Sequence, residues 1–249
     1  MSNATTSNNT IYVVGGGKGG VGKSLTAHAL LDCLRTPVLA QPPAPEPAPR
    51  GICYIESDDS NPDLYKAVHD SFGVHAEVCN LDHEDGYVRL INTIGALTDA
   101  PVPVVINTAA RATTTLIEHG GLLAAAAQEQ GRKLVMLWTI NRQRDSLELL
   151  RQWLDSGQAY SAVYVVRNLY FGPPEKFDRY GSGKIKTEVA GTIDLPELSS
   201  DVTDRMTDHR LPLWASADRN GQSIPWGNRL VLRAWRERIR KAFAPVFND

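Results

Sequence analysis

Short runs of consecutive apolar residues alternate along this chain with longer segments of helical periodicity. The runs are rich in Val, Ile, Tyr and Leu without polar alternation, which is typical of strands covered on both faces of a parallel sheet. Strands are predicted at 11–14, 51–56, 102–107, 133–140 and 161–168, with a weaker one at 188–193. Helices are predicted at 23–35, 62–71, 84–97, 113–130, 145–156 and 227–244. This order predicts an α/β fold with a doubly wound, mostly parallel sheet flanked by helices.

Three segments interrupt this alternation. Residues 1–10 are polar, without a basic start or an apolar core, and are predicted to be a disordered lead-in and not a signal peptide. Six prolines between 36 and 50 predict an extended loop inserted before the second strand. The segment 169–186 is rich in aromatic residues, glycine and proline, and loops of this length are commonly functional. Residues 11–249 are then expected to form a single domain.

Composition and charge exclude several classes of protein. With 42% apolar residues and a formal net charge of −2, the 249-residue chain has the composition of a soluble globular protein and not of a general nucleic-acid coat. No apolar run approaches the roughly 18 residues that span a bilayer, so a cytoplasmic protein without a membrane partner is expected. Cys33, Cys53 and Cys79 lack metal or redox spacing and are expected to be buried thiols. The six histidines are scattered and indicate no metal site or triad.

A glycine-rich motif follows the first predicted strand and opens the first helix. Gly17, Gly22, Lys23 and Ser24 match G-x-x-x-x-G-K-[ST], in which backbone N–H groups hold phosphate oxygens. Lys23 is expected to reach the β- and γ-phosphates, and the Ser24 hydroxyl is expected to bind Mg²⁺. The predicted nucleotide contacts are Gly17, Gly19, Gly20, Val21, Gly22, Lys23, Ser24 and Leu25.

A second lysine, Lys18, stands among the glycines of this motif. The string KGGVGKS, from Lys18 to Ser24, resembles the deviant Walker A motif of the ParA/MinD-like ATPases, a group within the SIMIBI class of P-loop NTPases. In that family the early lysine reaches across a dimer interface to the partner's nucleotide. The resemblance therefore implies ATP or ADP and Mg²⁺ as ligands, a nucleotide-dependent homodimer, and catalytic roles for Lys18 and Lys23.

An acidic segment follows the second predicted strand, where the chain reads ESDDSN. It resembles the D-x-D-P-x-x-N pattern of the family, with Glu56 on the first Asp, Asp58 on the second and Asn61 on the Asn. The resemblance implies that Asp58 is catalytic and orients the attacking water. It also implies that Glu56 and Asp58 assist Mg²⁺ through water. Asp59 replaces the usual proline.

The third predicted strand ends in Asn107, where the family's Walker B motif has an aspartate that holds water on Mg²⁺. An amide accepts a hydrogen bond but carries no charge. The sequence therefore predicts weaker magnesium binding, and either slow hydrolysis or nucleotide binding without turnover.

Two later matches to the family are weaker. The strand ending in Arg167 and Asn168 resembles the one that reads the adenine edge, and Pro196 lies in the segment that packs on the base. The segments NPDLYKAV and NLYFGPP make the order of features most similar to the TraL- and StbB-like proteins of conjugative plasmids.

The predicted C-terminal helix has an apolar stripe and a basic stripe. The apolar stripe is Val231, Trp235, Ile239 and Phe243, and the basic stripe is Arg229, Arg233, Arg236 and Arg240. Three interpretations remain open: a final helix that packs on the sheet with its arginines in water, a membrane-surface helix, and a surface for non-specific DNA contact.

The leading hypothesis is a slow, dimerising ATPase that serves as a nucleotide switch in plasmid partition, stability or conjugative transfer, together with a partner protein of that system. The alternative is a nucleotide-binding scaffold without hydrolysis, built into a DNA-transfer complex. A metabolic synthetase would need a second catalytic constellation, and none stands out. A nitrogenase-like protein would need bridging cysteines after the Walker B strand, whereas the last cysteine is Cys79.

Overall fold

The computed structural model describes residues 9–17, 19–35, 51–98, 101–218, 221 and 223–247. The predicted lead-in up to residue 8, Lys18 and the proline-rich insertion at 36–50 lie outside these ranges.

Within the described residues, seven strands form one sheet in which every neighbouring pair is parallel. The strands are β1 (Thr10–Gly15), β2 (Ile52–Glu56), β3 (Val74–Val78), β4 (Val104–Asn107), β5 (Lys133–Ile140), β6 (Ala162–Asn168) and β7 (Gly191–Leu195). Their spatial order is β3-β2-β4-β1-β5-β6-β7. The structure confirms the predicted doubly wound α/β fold.

Helices cover both faces of the sheet. They are α1 (Lys23–Arg35), α2 (Asp63–Val68), α3 (Glu84–Gly95), α4 (Thr113–Glu129), α5 (Arg144–Asp155), α6 (Asp178–Gly181), α7 (Ile185–Glu188), α8 (Ser200–Asp208), α9 (Leu213–Ser216) and α10 (Trp226–Phe247). The core on one face contains side chains from α1, α2, α8, α9 and α10. The core on the other face contains side chains from α3, α4 and α5.

Strand β1 lies in the middle of the sheet, between β4 and β5. All six of its residues are buried, and its alternate side chains enter opposite cores: Tyr12 and Val14 enter one, Ile11 and Val13 the other. The chain leaves β1 towards β2 on one side and later reaches β5 on the other. The carboxyl ends of β1, β2 and β4 therefore meet at a topological switch point, where ligands bind in open α/β sheets.

The sequence did not predict strand β3. Val74, Ala76 and Val78 alternate with His75 and Glu77 in this strand, which forms an edge of the sheet. A period of two on a partly exposed edge differs from the continuous apolar runs used to predict the inner strands. Two strand ends also differ: the weak strand predicted at 188–193 is β7 (Gly191–Leu195), and β1 begins at Thr10, inside the segment predicted as a lead-in.

Helix α10 packs on the core with a stripe that differs by one residue from the predicted one. Leu232, Trp235, Ile239 and Phe243 are buried, whereas Val231 is 47% exposed. The buried stripe is part of the hydrophobic core on that face of the sheet. No helix in the described part of the chain combines the length and the apolar character needed to cross a bilayer.

The basic stripe of α10 is partly an internal feature. The Arg236 guanidinium binds the fully buried Asp32 carboxylate of α1 through two contacts of 2.9 Å, from Nε to Oδ2 and from Nη2 to Oδ1. Arg240 Nη2 lies 3.9 Å from the same carboxylate. The interpretation that the arginines lie in water is therefore wrong for Arg236, which joins α10 to α1.

The three cysteines are buried and free, as predicted. Burial raises the pKa of the Cys53 thiol to about 12, so that this side chain stays protonated near neutral pH. None of the thiols has the exposure and low pKa of a reactive cysteine.

Candidate functional site

The glycine-rich loop connects β1 to α1 at the carboxyl edge of the sheet. Gly20 and Gly22 have φ values of 76° and 103°, a region that glycine adopts without steric cost. A Cβ atom on Gly22 would also collide with the side-chain amide of Asn168. Because the first N–H groups of a helix have no intrahelical acceptor, the start of α1 is suited to an anion. The described part of the glycine-rich loop has a backbone suited to an anion, and phosphate binding by it stays a prediction.

Lys23 is the first residue of α1, and its side chain is largely buried. Burial lowers the pKa of its ammonium group, while the carboxylates of Asp58 and Glu56 act in the opposite direction. An ammonium group in this position next to a helix N-terminus is suited to a phosphate, because phosphate would replace the hydration that burial removes.

A polar network joins the ends of β2 and β4 to the start of α1. Glu56 and Asn107 are register partners on these two strands. Asn107 Nδ2 donates to both Glu56 carboxylate oxygens at 3.1 Å and lies 3.3 Å from Ser24 Oγ. The structure therefore brings together three residues that the sequence predicted separately.

Glu56 is a buried carboxyl group with a full set of donors. The Tyr54 hydroxyl donates to Oε2 at 2.5 Å, and the Asp58 backbone N–H donates to Oε1 at 3.1 Å, in addition to the Asn107 amide. Burial raises the pKa of this carboxyl group, and the three hydrogen bonds act against that rise. Because its oxygens accept these hydrogen bonds, burial of the Glu56 carboxyl group costs little free energy of folding.

Asp58 lies in the loop after β2 and is half-buried. Its Oδ1 accepts from Ser60 N–H at 3.2 Å, from Ser60 Oγ at 2.5 Å and from Asn61 N–H at 3.2 Å. These hydrogen bonds and the charge of Lys23 lower the pKa of Asp58, with the Ser60 hydroxyl as the largest cause. Since all three bonds go to Oδ1, Oδ2 is the oxygen that can accept from a water.

The donor set fits a magnesium–nucleotide complex. Among the described residues no group of three or more His, Cys, Asp or Glu side chains could hold a metal by itself. Mg²⁺ keeps waters and shares its coordination with substrate phosphates, and Ser24 is the residue suited to a direct bond. Asn107 Oδ1 is buried without a hydrogen-bond partner in the described structure, and can accept from a metal-bound water.

A cavity of about 420 Å³ opens in front of this network, a volume typical of ligand sites. It is lined by Gly17, Gly19, 57–60, Asp82 and 109–111. Larger surface grooves lie along β3 and α3 and between α5 and α7. We place the ligand at this cavity because Gly17 and Gly19 of the glycine-rich loop line it together with Asp58.

Of the predicted base-contacting residues, Asn168 supports the glycine-rich loop directly. Its Nδ2 donates to the Val21 carbonyl oxygen at 2.9 Å, and its Oδ1 accepts from Tyr170 N–H at 3.1 Å. Arg167 is held by Asp194 through bonds of 2.7 and 2.9 Å. Pro196 follows β7, and its carbonyl oxygen accepts from the Trp235 indole at 2.9 Å. Contact of Asn168 and Pro196 with a base stays a prediction.

Comparison with known proteins gives the family of the chain. It is 37% identical over 246 residues to Protein MobD of Acidithiobacillus ferrooxidans, an alignment that covers 96% of this chain and 99% of the relative. The chain belongs to the MobD family. No family model matches it.

Two solved structures are similar to this MobD-family chain in fold. A protein from Borrelia burgdorferi B31 that was proposed to act in plasmid partition, bound to AMPPNP, is similar with a TM-score of 0.53 and 14% identity, over 94% of this chain and 98% of that one. A nucleotide-binding protein of Archaeoglobus fulgidus in complex with ADP has a TM-score of 0.47 and 12% identity, over 81% and 86% of the two chains. The Borrelia structure shows a shared fold. The ParA/MinD-like resemblance and the TraL- and StbB-like resemblance stay predictions.

The sequence left unassigned several residues of the site in this MobD-family chain. Tyr54 stands two positions before Glu56, on the same face of β2. This spacing could have been used to predict their contact from the sequence. Ser57 Oγ accepts from Ala109 N–H at 2.7 Å, and so ties together the loops after β2 and β4. Asp82 and Arg111 meet at the rim of the cavity. These long-range pairs leave no local pattern.

Proposed function

We propose that this MobD-family protein is an ATP-binding switch protein with slow ATPase activity, which dimerises with nucleotide and acts in plasmid partition, stability or transfer. The observation that carries the proposal is the convergence of Lys23, Ser24, Glu56, Asp58 and Asn107 around the start of α1. A structural turn rich in glycine would need neither a buried lysine nor a carboxylate network beside it.

Each group has a role in this proposal. The loop N–H groups and Lys23 bind the phosphates, and Ser24 would hold Mg²⁺, with Glu56, Asn107 and Asp58 assisting through water. The ion would neutralise charge on the phosphate oxygens. Asp58 orients a water whose oxygen bonds to the terminal phosphorus while the bond from that phosphorus to the β–γ bridging oxygen breaks, which gives ADP and phosphate.

The comparisons support the biological setting. The MobD relative is similar along almost its whole length, and the similar Borrelia protein was proposed to act in plasmid partition. A partner protein of the same plasmid system, and DNA contact without sequence preference, belong to the proposal. In it, Lys18 of one subunit contacts the nucleotide of the other, and ATP binding creates the dimer surface that hydrolysis releases.

Sedimentation tests the dimer. Wild type and Lys18→Ala are compared with ATP and Mg²⁺, with ADP and without nucleotide, and Lys66→Ala on the surface of α2 is the matched control. We expect a dimer for wild type and for the control with ATP, and a monomer for Lys18→Ala. A wild type that binds ATP and Mg²⁺ but stays monomeric contradicts the dimer mechanism.

The second candidate is a nucleotide-binding scaffold without hydrolysis, which the neutral Asn107 favours. The position of Glu56 speaks against it, because a carboxylate lies 3.1 Å from the Asn107 amide, on the neighbouring strand. Phosphate release, measured with and without DNA, separates the two. Tight ATP binding without phosphate release under either condition would favour the scaffold function.

A further inference from the structure

The loop between β3 and α3 contacts both loops that border the phosphate side of the cavity. Asn80 Nδ2 donates to Asp59 Oδ2 at 3.0 Å, in the loop after β2. Two residues later, Asp82 Oδ2 lies 3.4 Å from Arg111 Nη2, in the loop after β4. The loop is thus positioned to respond to a change in either neighbour.

Arg111 lines the cavity together with Gly17 and Gly19. The residue before it, Ala110, is in contact range of the glycine-rich loop, since a Cβ atom built on Gly19 would lie 3.7 Å from the Ala110 Cβ. Arg111 therefore directly follows a residue that lies beside the loop proposed to hold phosphate.

This arginine is held at the cavity by a contact that is exposed to solvent. The cavity lining includes three aspartates, Asp58, Asp59 and Asp82. Among the described residues that line the cavity, Arg111 is the one basic side chain. Its side chain is 80% exposed, and the single contact to Asp82 is long. An exposed ion pair of this kind contributes little to stability, so a more strongly charged partner can replace it.

From this arrangement, and on the basis of the proposed function, we propose that Arg111 is a phosphate-contacting residue. Asp82 holds it at the rim when the terminal phosphate is absent, and it turns to that phosphate when ATP is bound in the same subunit. A guanidinium group can bind two phosphate oxygens at once and stabilises the charge that spreads over them. Arg111 then discriminates the triphosphate from the diphosphate, since ADP lacks its target.

Titration calorimetry with ATP and with ADP, each with Mg²⁺, tests this role. For Arg111→Ala we expect ATP affinity to fall about tenfold or more and ADP affinity to stay within about twofold. Arg111→Lys should recover part of the loss, because it restores the charge without the fork. Arg144→Ala is the control, as it removes another exposed arginine that is paired with a carboxylate, in α5. Thermal unfolding of each variant checks that the fold is retained.

A double-mutant cycle tests the role of Asp82. Asp82→Asn should raise ATP affinity about threefold or more in wild type and by a smaller factor in Arg111→Ala, because part of its effect acts through the arginine. An equal gain in ATP affinity in wild type and in Arg111→Ala would contradict the proposal that Asp82 acts by holding Arg111.

The outcomes separate this inference from the proposed function. If wild type binds neither nucleotide, the proposed function fails. If wild type binds ATP and Arg111→Ala has the same ATP-to-ADP preference and the same rate of phosphate release, the role of Arg111 is wrong and the proposed function stands.

Discussion

Asn107 on β4 donates its side-chain amide to both carboxylate oxygens of Glu56, its register partner on β2, at 3.1 Å. The same amide lies 3.3 Å from Ser24 Oγ at the start of α1. The carboxyl group that the sequence lacks at the end of β4 is therefore present one strand away, and Asn107 connects it to the serine of the glycine-rich loop. A neutral residue at position 107 fits this network because Glu56 is buried beside it.

The first prediction concerns the placement of that charge. Asn107→Asp puts a second carboxylate against Glu56 in a buried site, where both cannot be ionised cheaply. We expect a loss of about 1–3 kcal/mol in the free energy of unfolding at pH 7. The loss should shrink as the pH falls, because like charge raises the pKa of one carboxyl and its protonation relieves the repulsion. Urea unfolding at several pH values measures this.

The exchange of the two residues is the control for that prediction. The double variant Glu56→Gln, Asn107→Asp restores one carboxylate and one amide across the same strand pair, and should recover most of the lost stability. An Asn107→Asp variant as stable as wild type at pH 7 would show that the two side chains do not share one buried environment.

The second prediction distinguishes two roles of Asn168. Removal of its amide in Asn168→Ala leaves the buried Val21 carbonyl without this donor and loosens the glycine-rich loop. Affinity for ATP, for GTP and for inorganic tripolyphosphate should fall by a similar factor, about tenfold, since one buried hydrogen bond is lost. Tyr170→Ala is the control, because only the backbone of Tyr170 binds Asn168.

Tripolyphosphate has no base, and this gives the experiment its contrast. If Asn168 instead reads the adenine edge, the ratio of ATP to GTP affinity changes and tripolyphosphate binding does not. That outcome would confirm the prediction from sequence and contradict the supporting role that the geometry indicates.

The inner strands and the glycine-rich loop could be predicted because their signals are local. A continuous apolar run such as KLVMLWTI, or the spacing from Gly17 to Ser24, reflects contacts made within a few residues. Strand β3 was missed although its alternation is visible, because it forms a partly exposed edge of the sheet and lacks the continuous apolar run of the inner strands.

The rest of the site depends on contacts between residues that are distant in sequence. Asn168 and Val21 are 147 residues apart, and Arg236 and Asp32 are 204 apart. The sequence identified Asn107 at a position where the family has an aspartate, but only the register of β2 with β4 shows that the Glu56 carboxyl group lies beside it. The same holds for Arg236, whose helical stripe predicted an exposed surface and whose partner is buried in α1.

The third prediction is that Asp32 is a strong stability determinant. Asp32→Ala removes the fully buried carboxylate that binds Arg236 and lies near Arg240. Loss of one partner of a buried pair costs about 3–5 kcal/mol in the free energy of unfolding. The control is Lys66→Ala, which removes an exposed pair with Asp63 in α2 and should cost less than about 1 kcal/mol. Equal, small losses in both variants would show that Asp32 contributes no more than a surface ion pair.

The fourth prediction concerns His28, which is buried in α1 and accepts from the Leu213 backbone N–H at Nε2, at 2.9 Å. Burial, together with the positive charge of Arg236, lowers the pKa of His28 to about 3. The unfolded chain binds a proton at this residue near pH 6.5, so below that pH it gains protons that the folded chain does not. The contribution of His28 to stability is therefore complete above pH 6.5 and is lost as the pH falls towards 3.

The matched variant His28→Gln keeps a side-chain acceptor but cannot titrate. Between pH 6.5 and 4.5, wild type should lose about 2–3 kcal/mol of unfolding free energy relative to this variant, at up to about 1.4 kcal/mol per pH unit. His209→Gln, at an exposed position, is the control and should follow wild type across the range. Urea unfolding at half-unit pH steps gives the curves. A difference between wild type and His28→Gln that stays constant with pH would mean that folding leaves the pKa of His28 unchanged, and would contradict the burial of a neutral imidazole against Leu213.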